Sequence, residues 1–237
     1  MVGVRRIDRY LHPMARRPEE VIAPTGGHGL PDDVVAERDR LFAATVEIVA
    51  KRGYRGATVE RIAEAAEVDR ATFHELFADK EGCFLAVFDR IVAESADAVA
   101  RAAAAVDGWP EEVAAGIACL LDTVVADPQR ARLALVEAQA AGPRVYSRYE
   151  EAIDRAAPKL RQGRAFNEDA AALSGALEEA ILGGVTWIVH QRLARGEIDE
   201  IESLLDEAIQ TVLSPYVGEG EARRLATTTL RDRSRRK

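Results

Sequence analysis

Residues 58–77, TVERIAEAAEVDRATFHELF, form the stretch whose residue types and spacing suggest a chemistry, and that chemistry is recognition rather than catalysis. The pattern splits into two helices of about eight residues, each marginal alone in water, so a shared apolar centre must join them. Ile62, Ala66, Val68, Phe73 and Leu76 supply that centre, and Ala63 is small where the second helix crosses the first. Thr58 and Asp69 stand where an N-cap is needed, each with an oxygen for backbone N–H groups otherwise left free. This is the spacing of a helix-turn-helix, whose second helix lies in the DNA major groove.

Catalytic alternatives find little in the chain. His12, His28, His74 and His190 are scattered, Cys83 and Cys119 are far apart, and no nucleophile elbow, metal-binding helix or dinucleotide fingerprint occurs. The reading is therefore of a non-enzyme with no catalytic residue, no metal and no cofactor. Two cysteines without a C-x-x-C neighbour exclude a disulfide scaffold.

The elements that must position the 58–77 unit are helical. The 237 residues include 43 alanines, 48% apolar and 30% charged residues, with no alternating strands, which predicts an all-α protein of about nine helices. The first is expected from Val34 to Arg52, burying Leu41, Thr45, Ile48 and Val49 and stopping at Gly53. After the two short helices, 59–66 and 70–77, a long one is expected from Lys80 to Val106, then others at 111–126, 129–141, 144–162, 168–195 and 198–217. Residues 1–32, with Pro13, Pro18, Pro24, Pro31 and a glycine run, read as a flexible arm, 33–80 as the DNA-binding domain, 81–218 as a second helical domain and 219–237 as a basic tail.

Charge is unevenly spread. Residues 1–17 hold five arginines against Asp8, and 223–237 hold seven basic residues against Asp232. The remaining 18–222 carry 20 basic and 38 acidic residues, a charge of −18, which excludes a globally basic nucleic-acid binder and leaves DNA contact to a local surface. No apolar run reaches the length of a membrane span and no apolar core follows the N-terminal arginines, so no membrane role and a cytoplasmic location are expected.

Flanking residues sharpen the reading. Lys51-Arg52-Gly53-Tyr54, then Gly56-Ala57-Thr58-Val59, the two short helices, and Phe77-Ala78-Asp79-Lys80-Glu81 together resemble the N-terminal domain of TetR/AcrR-family transcriptional regulators, over residues 38–90. The run 204–218 is similar to the last helix of many such proteins. Two positions depart from the family pattern: Glu67 replaces a turn glycine, at a cost of about 1 kcal/mol if the residue is left-handed, and His74 replaces a tyrosine. An imidazole N–H still donates to phosphate, and a protonated ring adds charge, so tighter DNA binding is expected at acidic pH.

The resemblance implies roles. Thr58 caps its helix and touches phosphate, while Arg70, Ala71 and Thr72 face base edges, Arg70 pairing with guanine and Ala71 or Thr72 meeting a thymine methyl. Lys80 either holds phosphate at a helix N-terminus or pairs with Asp79 or Glu81. Arg55 and Arg61 are weaker candidates. A single recognition helix reads few base pairs, so a homodimer on a palindromic double-stranded operator is expected.

Leu173, Leu177, Ile181, Gly184 and Ile188, with Leu204, Leu205, Ile209, Val212 and Leu213, recur at helical spacing as dimer contacts or as core, and Gly183-Gly184 permits close approach. The resemblance also implies a small-molecule effector pocket, for which Trp109, Tyr146, Tyr149, Trp187 and His190 are candidates, with Cys119, Leu120, Val124, Val136, Gln139 and Phe166 as lining. The implied function is a regulator, read as a repressor released by an apolar or amphipathic effector, with the helix from Lys80 transmitting the change. The competing reading is a helical module without DNA recognition, with Glu67 and His74 as its symptoms.

Overall fold

A computed structural model describes residues 32–166, 170 and 173–236; the N-terminal arm lies outside the described residues apart from its last position. Among the described residues there is no strand, and the architecture is all-α with an N-terminal helix-turn-helix.

The first helix, α1 (Asp32–Gly56), buries Leu41, Thr45 and Val49 as its spacing predicts, while Ile48 is half-buried. The expected stop at Gly53 is a kink rather than an end: its φ of 66° and ψ of 168° interrupt the helix before one more turn, a conformation that costs glycine little. Then come α2 (Val59–Ala65) and α3 (Arg70–Leu76), joined by a turn in which Glu67 has φ 53°. The long α4 (Lys80–Ala103) follows, its N-cap Asp79 accepting from the Gly82 N–H at 2.7 Å.

The second half opens with α5 (Trp109–Ala126) and α6 (Pro128–Arg132), which runs into a π-helical turn, Leu133–Glu137, and then the short α7 (Ala138–Ala140). The stretch expected as one helix over 144–162 is two, α8 (Pro143–Asp154) and α9 (Ala157–Arg161), because Pro158 sits in the first turn of the second and has no N–H to extend the first. A 3-10 turn, Gln162–Ala165, leads on to α10 (Leu177–Arg195), α11 (Ile198–Ser203), α12 (Leu205–Val217) and α13 (Glu219–Arg236).

Two expectations are corrected here. Leu173–Ala176 is a bend and a turn rather than helix: Arg164 donates to the Leu173 and Ser174 carbonyls at 3.0 and 2.7 Å, and the Leu177 N–H returns to the Ser174 carbonyl at 3.2 Å ahead of α10. The basic tail is a packed helix. Ala222, Leu225 and Ala226 of α13 are buried against α12 and α5, and Arg224 and Arg233 bind Glu111 and Asp122 of α5, so an apolar stripe inside the arginine-rich segment docks it.

Two apolar cores divide the described residues. One holds Leu41, Ile62, Phe73, Phe84 and Phe88 and extends beyond the helix-turn-helix to Leu133, Val145 and Tyr149 of the π turn and α8. The other gathers α5 and α10 to α13 around Leu205, Ile209, Leu213 and Tyr216. The helix-turn-helix is therefore seated on the π turn and α8 through shared packing, not only tethered by α4. No described helix is long and apolar enough to cross a membrane.

Candidate nucleic-acid interface

The helix-turn-helix is built by caps and one aromatic centre. Thr58 Oγ1 accepts from the Arg61 N–H at 3.3 Å, and Asp69 Oδ1 accepts from the Thr72 N–H at 2.8 Å. Phe73 is fully buried and meets the His74 and Phe77 rings at 5.5 and 5.7 Å. The turn closes when the Val68 N–H reaches the Ala63 carbonyl at 3.0 Å, which requires the left-handed Glu67 between them.

With Phe73 turned inward, α3 presents Arg70, Ala71 and His74 to solvent, with Thr72 half-buried beside them. Arg70 Nη1 lies 3.2 Å from Glu60 Oε1 on α2. Thr58 is half-buried at the adjoining edge. Arg61 is occupied, its guanidinium donating to the Gly56 carbonyl at 2.7 Å where α1 ends.

Lys80 follows neither of its expected carboxylate pairings. Asp79 is used as the α4 cap and Glu81 faces Arg144 at 3.6 Å, while the Lys80 ammonium donates to the Tyr54 carbonyl at 2.9 Å and sits 4.1 Å from the centre of the Tyr54 ring. Burial lowers its pKa from the ordinary lysine value. Tyr54 is fixed in turn, its ring edge-on to Phe84 at 5.0 Å and its N–H donating to Glu137 Oε2 at 2.8 Å.

The candidate effector residues fall into two groups. Gln139, Tyr149, His190, Trp187 and Tyr146 come together: Gln139 Nε2 lies 3.2 Å from the Tyr149 hydroxyl and 3.1 Å from His190 Nδ1, which is 2.9 Å from the Leu135 carbonyl of the π turn. Trp187 stacks on His190 at 5.4 Å and Tyr146 on Tyr149 at 6.2 Å. Trp109 belongs elsewhere, packed against Phe166 and Tyr216 with its indole N–H on the Lys159 carbonyl.

Val124 is core, whereas Leu120, Phe166, Tyr146 and Trp187 are exposed, so the expected set does not enclose one cavity. Cys119 and Val136 are half-buried. Two hollows on the surface, about 530 Å³ beside Asp154, Ala157, Arg161 and Glu179 and about 300 Å³ beside Glu202, Leu230 and Arg233, include none of the candidates.

The candidate dimer residues also divide. Leu205, Ile209 and Val212, with Leu204 and Leu213, are buried within the subunit, a correction to their reading as interface: the arrival of α13 and α5 on α12 covers that stripe. Ile181 is buried, Leu177 half-buried and Leu173 at the surface, whereas Gly184 and Ile188 face outward on α10 beside Gly183 and Trp187. A side chain built at Gly183 or Gly184 would meet nothing.

Residues 41–87 match the family model for bacterial regulatory proteins of the tetR family. The match spans α2, α3 and the adjoining parts of α1 and α4, so it is the helix-turn-helix segment that is similar to this family. The fold of the whole chain is similar to those of solved proteins. The fatty acid degradation regulator FadR of Bacillus halodurans superposes with a TM-score of 0.66 at 19% identity, covering 74% of this chain and 97% of that one. FadR of Bacillus subtilis in complex with stearoyl-CoA gives 0.62 at 16% identity over 76% and 98%. RolR in complex with resorcinol gives 0.56 at 20% identity over 82% and 95%. At these identities the likeness is one of fold. No curated protein matches the chain.

Glu60, Tyr54 and Glu137 are absent from the residues expected at the site. Each takes its place through a partner in another element, at a separation without periodicity or motif.

Proposed function

We propose that this chain is a regulator of the TetR family, a homodimeric repressor that reads its operator with α3 and is released by a small-molecule effector. The observation that carries the reading is the outward row Arg70, Ala71 and His74 on a helix capped by Asp69 and anchored by buried Phe73, inside the segment that matches the family. Arg70 reads a base edge, Thr58 and His74 contact phosphate, and Lys80 supports the backbone contact from the α4 N-terminus.

Dimerisation is assigned to the outward face of α10, where Gly183, Gly184 and Ile188 form a small-residue and apolar surface that suits a second helix. The effector is assigned to the polar and aromatic cluster of Gln139, Tyr149 and His190, with Tyr146 and Trp187 as its rings. That cluster touches the π turn whose Glu137 holds Tyr54, so a ligand that displaces Gln139 or His190 acts on an element packed against the head. Stearoyl-CoA in the B. subtilis FadR and resorcinol in RolR supply precedents for an acyl or an aromatic effector. By linkage, an effector that weakens DNA binding is itself bound more weakly by the DNA complex.

The test is anisotropy of the purified chain on duplex from its gene's upstream region against scrambled duplex, from about 50 to 200 mM salt. A preference of at least about tenfold, reduced by Arg70→Ala, supports the reading. Equal, salt-erased binding to that duplex, to scrambled duplex and to a genomic fragment library overturns it.

A further inference from the structure

One carboxylate stands on the reading face itself. Glu60, in the first turn of α2, is more than half exposed, and its Oε1 lies 3.2 Å from Nη1 of the equally exposed Arg70 in the first turn of α3. Its carboxyl is held below the usual carboxylate range by its own backbone N–H and the Thr58 hydroxyl, with Arg70 and His74 adding smaller attractions. Glu60 is thus bonded to, or faces, three of the residues assigned to DNA.

The fold has no need of this pair, since an ion pair between two exposed side chains contributes little to stability. Its position also has a cost for function, because a carboxylate beside duplex DNA is repelled by the phosphates. The gain is geometric. A guanidinium reads guanine through two parallel donors in a planar fork, which requires a fixed orientation, and a free arginine on a helix surface samples many rotamers and takes any phosphate in reach.

We propose that Glu60 is a specificity-determining positioning residue: its pairing across the α2–α3 turn holds one edge of the Arg70 guanidinium and leaves the other for a base. A phosphate must displace Glu60 to capture Arg70, so binding to random sequence is weakened, whereas a correctly placed base accepts from the fork while the pair persists. The proposal rests on Arg70 reading a base, and the experiment separates the two.

The full chain and its Glu60→Gln, Arg70→Ala and doubly substituted variants are used to select duplexes from a randomised library, with thermal unfolding as the fold control. Each variant is then titrated by anisotropy against a mixed-sequence duplex over a range of salt. The unaltered chain enriches a consensus, and Arg70→Ala erases one position in each half-site. Glu60→Gln is expected to weaken preference at that same position and to raise mixed-sequence affinity by about three- to tenfold, with a salt slope steeper by about one. Adding Glu60→Gln to Arg70→Ala is expected to leave the consensus as it is and to raise mixed-sequence affinity by clearly less than in the unaltered chain, the remainder being relief of the carboxylate's repulsion from phosphate.

An unchanged consensus and unchanged mixed-sequence affinity for Glu60→Gln overturn the proposal alone. So does an equal effect of Glu60→Gln with and without Arg70→Ala, because Glu60 then acts on DNA directly. A consensus indifferent to Arg70→Ala removes the base-reading role and Glu60's with it, and a chain that enriches nothing overturns the regulator reading.

Discussion

Tyr54 and Glu137 are 83 residues apart in the chain, and the Tyr54 N–H donates to Glu137 Oε2 at 2.8 Å. The kink at Gly53 leaves that N–H outside the helical ladder, and Glu137 projects from the π turn to meet it. The Glu137 carboxylate also lies 3.5 Å from Arg132, whose guanidinium donates to the Leu193 carbonyl of α10, while the Tyr54 carbonyl accepts from Lys80. A single carboxylate therefore joins the base of the helix-turn-helix unit to the helices behind it.

Glu137→Ala is expected to destabilise the protein by about 1–3 kcal/mol, the cost of leaving a part-buried N–H without its charged acceptor. Urea unfolding measures it. An unchanged midpoint would show that the contact carries no energy.

Glu67→Gly is expected to stabilise the protein by up to about 1 kcal/mol, because the left-handed φ of 53° at this turn is strained for glutamate and open to glycine, less the added freedom of the unfolded chain. Thermal unfolding of the two proteins side by side decides it, and a loss of stability would mean that the glutamate side chain compensates for the strain.

Glu178 is fully buried, where the Arg164 guanidinium donates to both its oxygens at 2.8 and 3.0 Å and the Tyr216 hydroxyl at 3.1 Å. Arg164 holds its carboxyl down to about 2, against an ordinary 4.5. A depressed folded value means that the carboxylate's contribution is fully present above about pH 4.5 and is lost as pH falls towards 2. Arg164→Ala is expected to cost about 3–5 kcal/mol at neutral pH by leaving the charge buried, and to flatten stability across that acid window. Denaturant titrations at several pH values test both parts, and a variant retaining the full acid dependence would contradict the assignment.

Gly163→Ala is expected to destabilise by about 1–3 kcal/mol. The new methyl would lie 2.2 Å from Trp109 Cη2 and 2.8 Å from Tyr216 Cδ1, which must both move. Tryptophan fluorescence and the melting temperature report it together.

Ile188→Glu tests the assigned dimer face without touching the core, since Ile188 is 43% exposed in the single chain. The expected outcome is a monomer by sedimentation with unchanged helicity and DNA affinity lowered by at least about tenfold, the loss of one half-site. A dimer that survives would move the interface to another surface.

Much of the reading unit is legible in the sequence because its determinants act over a few residues. Thr58 and Asp69 cap the helices they precede, Phe73 buries where helical spacing points it, and Glu67 takes the left-handed turn. Each outcome depends on neighbours within a turn or two. The stripes of α10 and α12 show where that legibility ends. Leu205, Ile209 and Val212 repeat at the same helical spacing as Gly184 and Ile188, yet the first set is buried by α5 and α13 and the second faces outward.

The docking of α13 was hidden for the same reason, since its stripe of Ala222, Leu225 and Ala226 is narrow and its arginines dominate the composition. Arg70 with Glu60, Lys80 with Tyr54, and Tyr54 with Glu137 are likewise products of docking. Periodicity determines that a helix has an apolar side, whereas the surface that side meets, and the charges brought within reach at its edges, depend on how all the helices pack together.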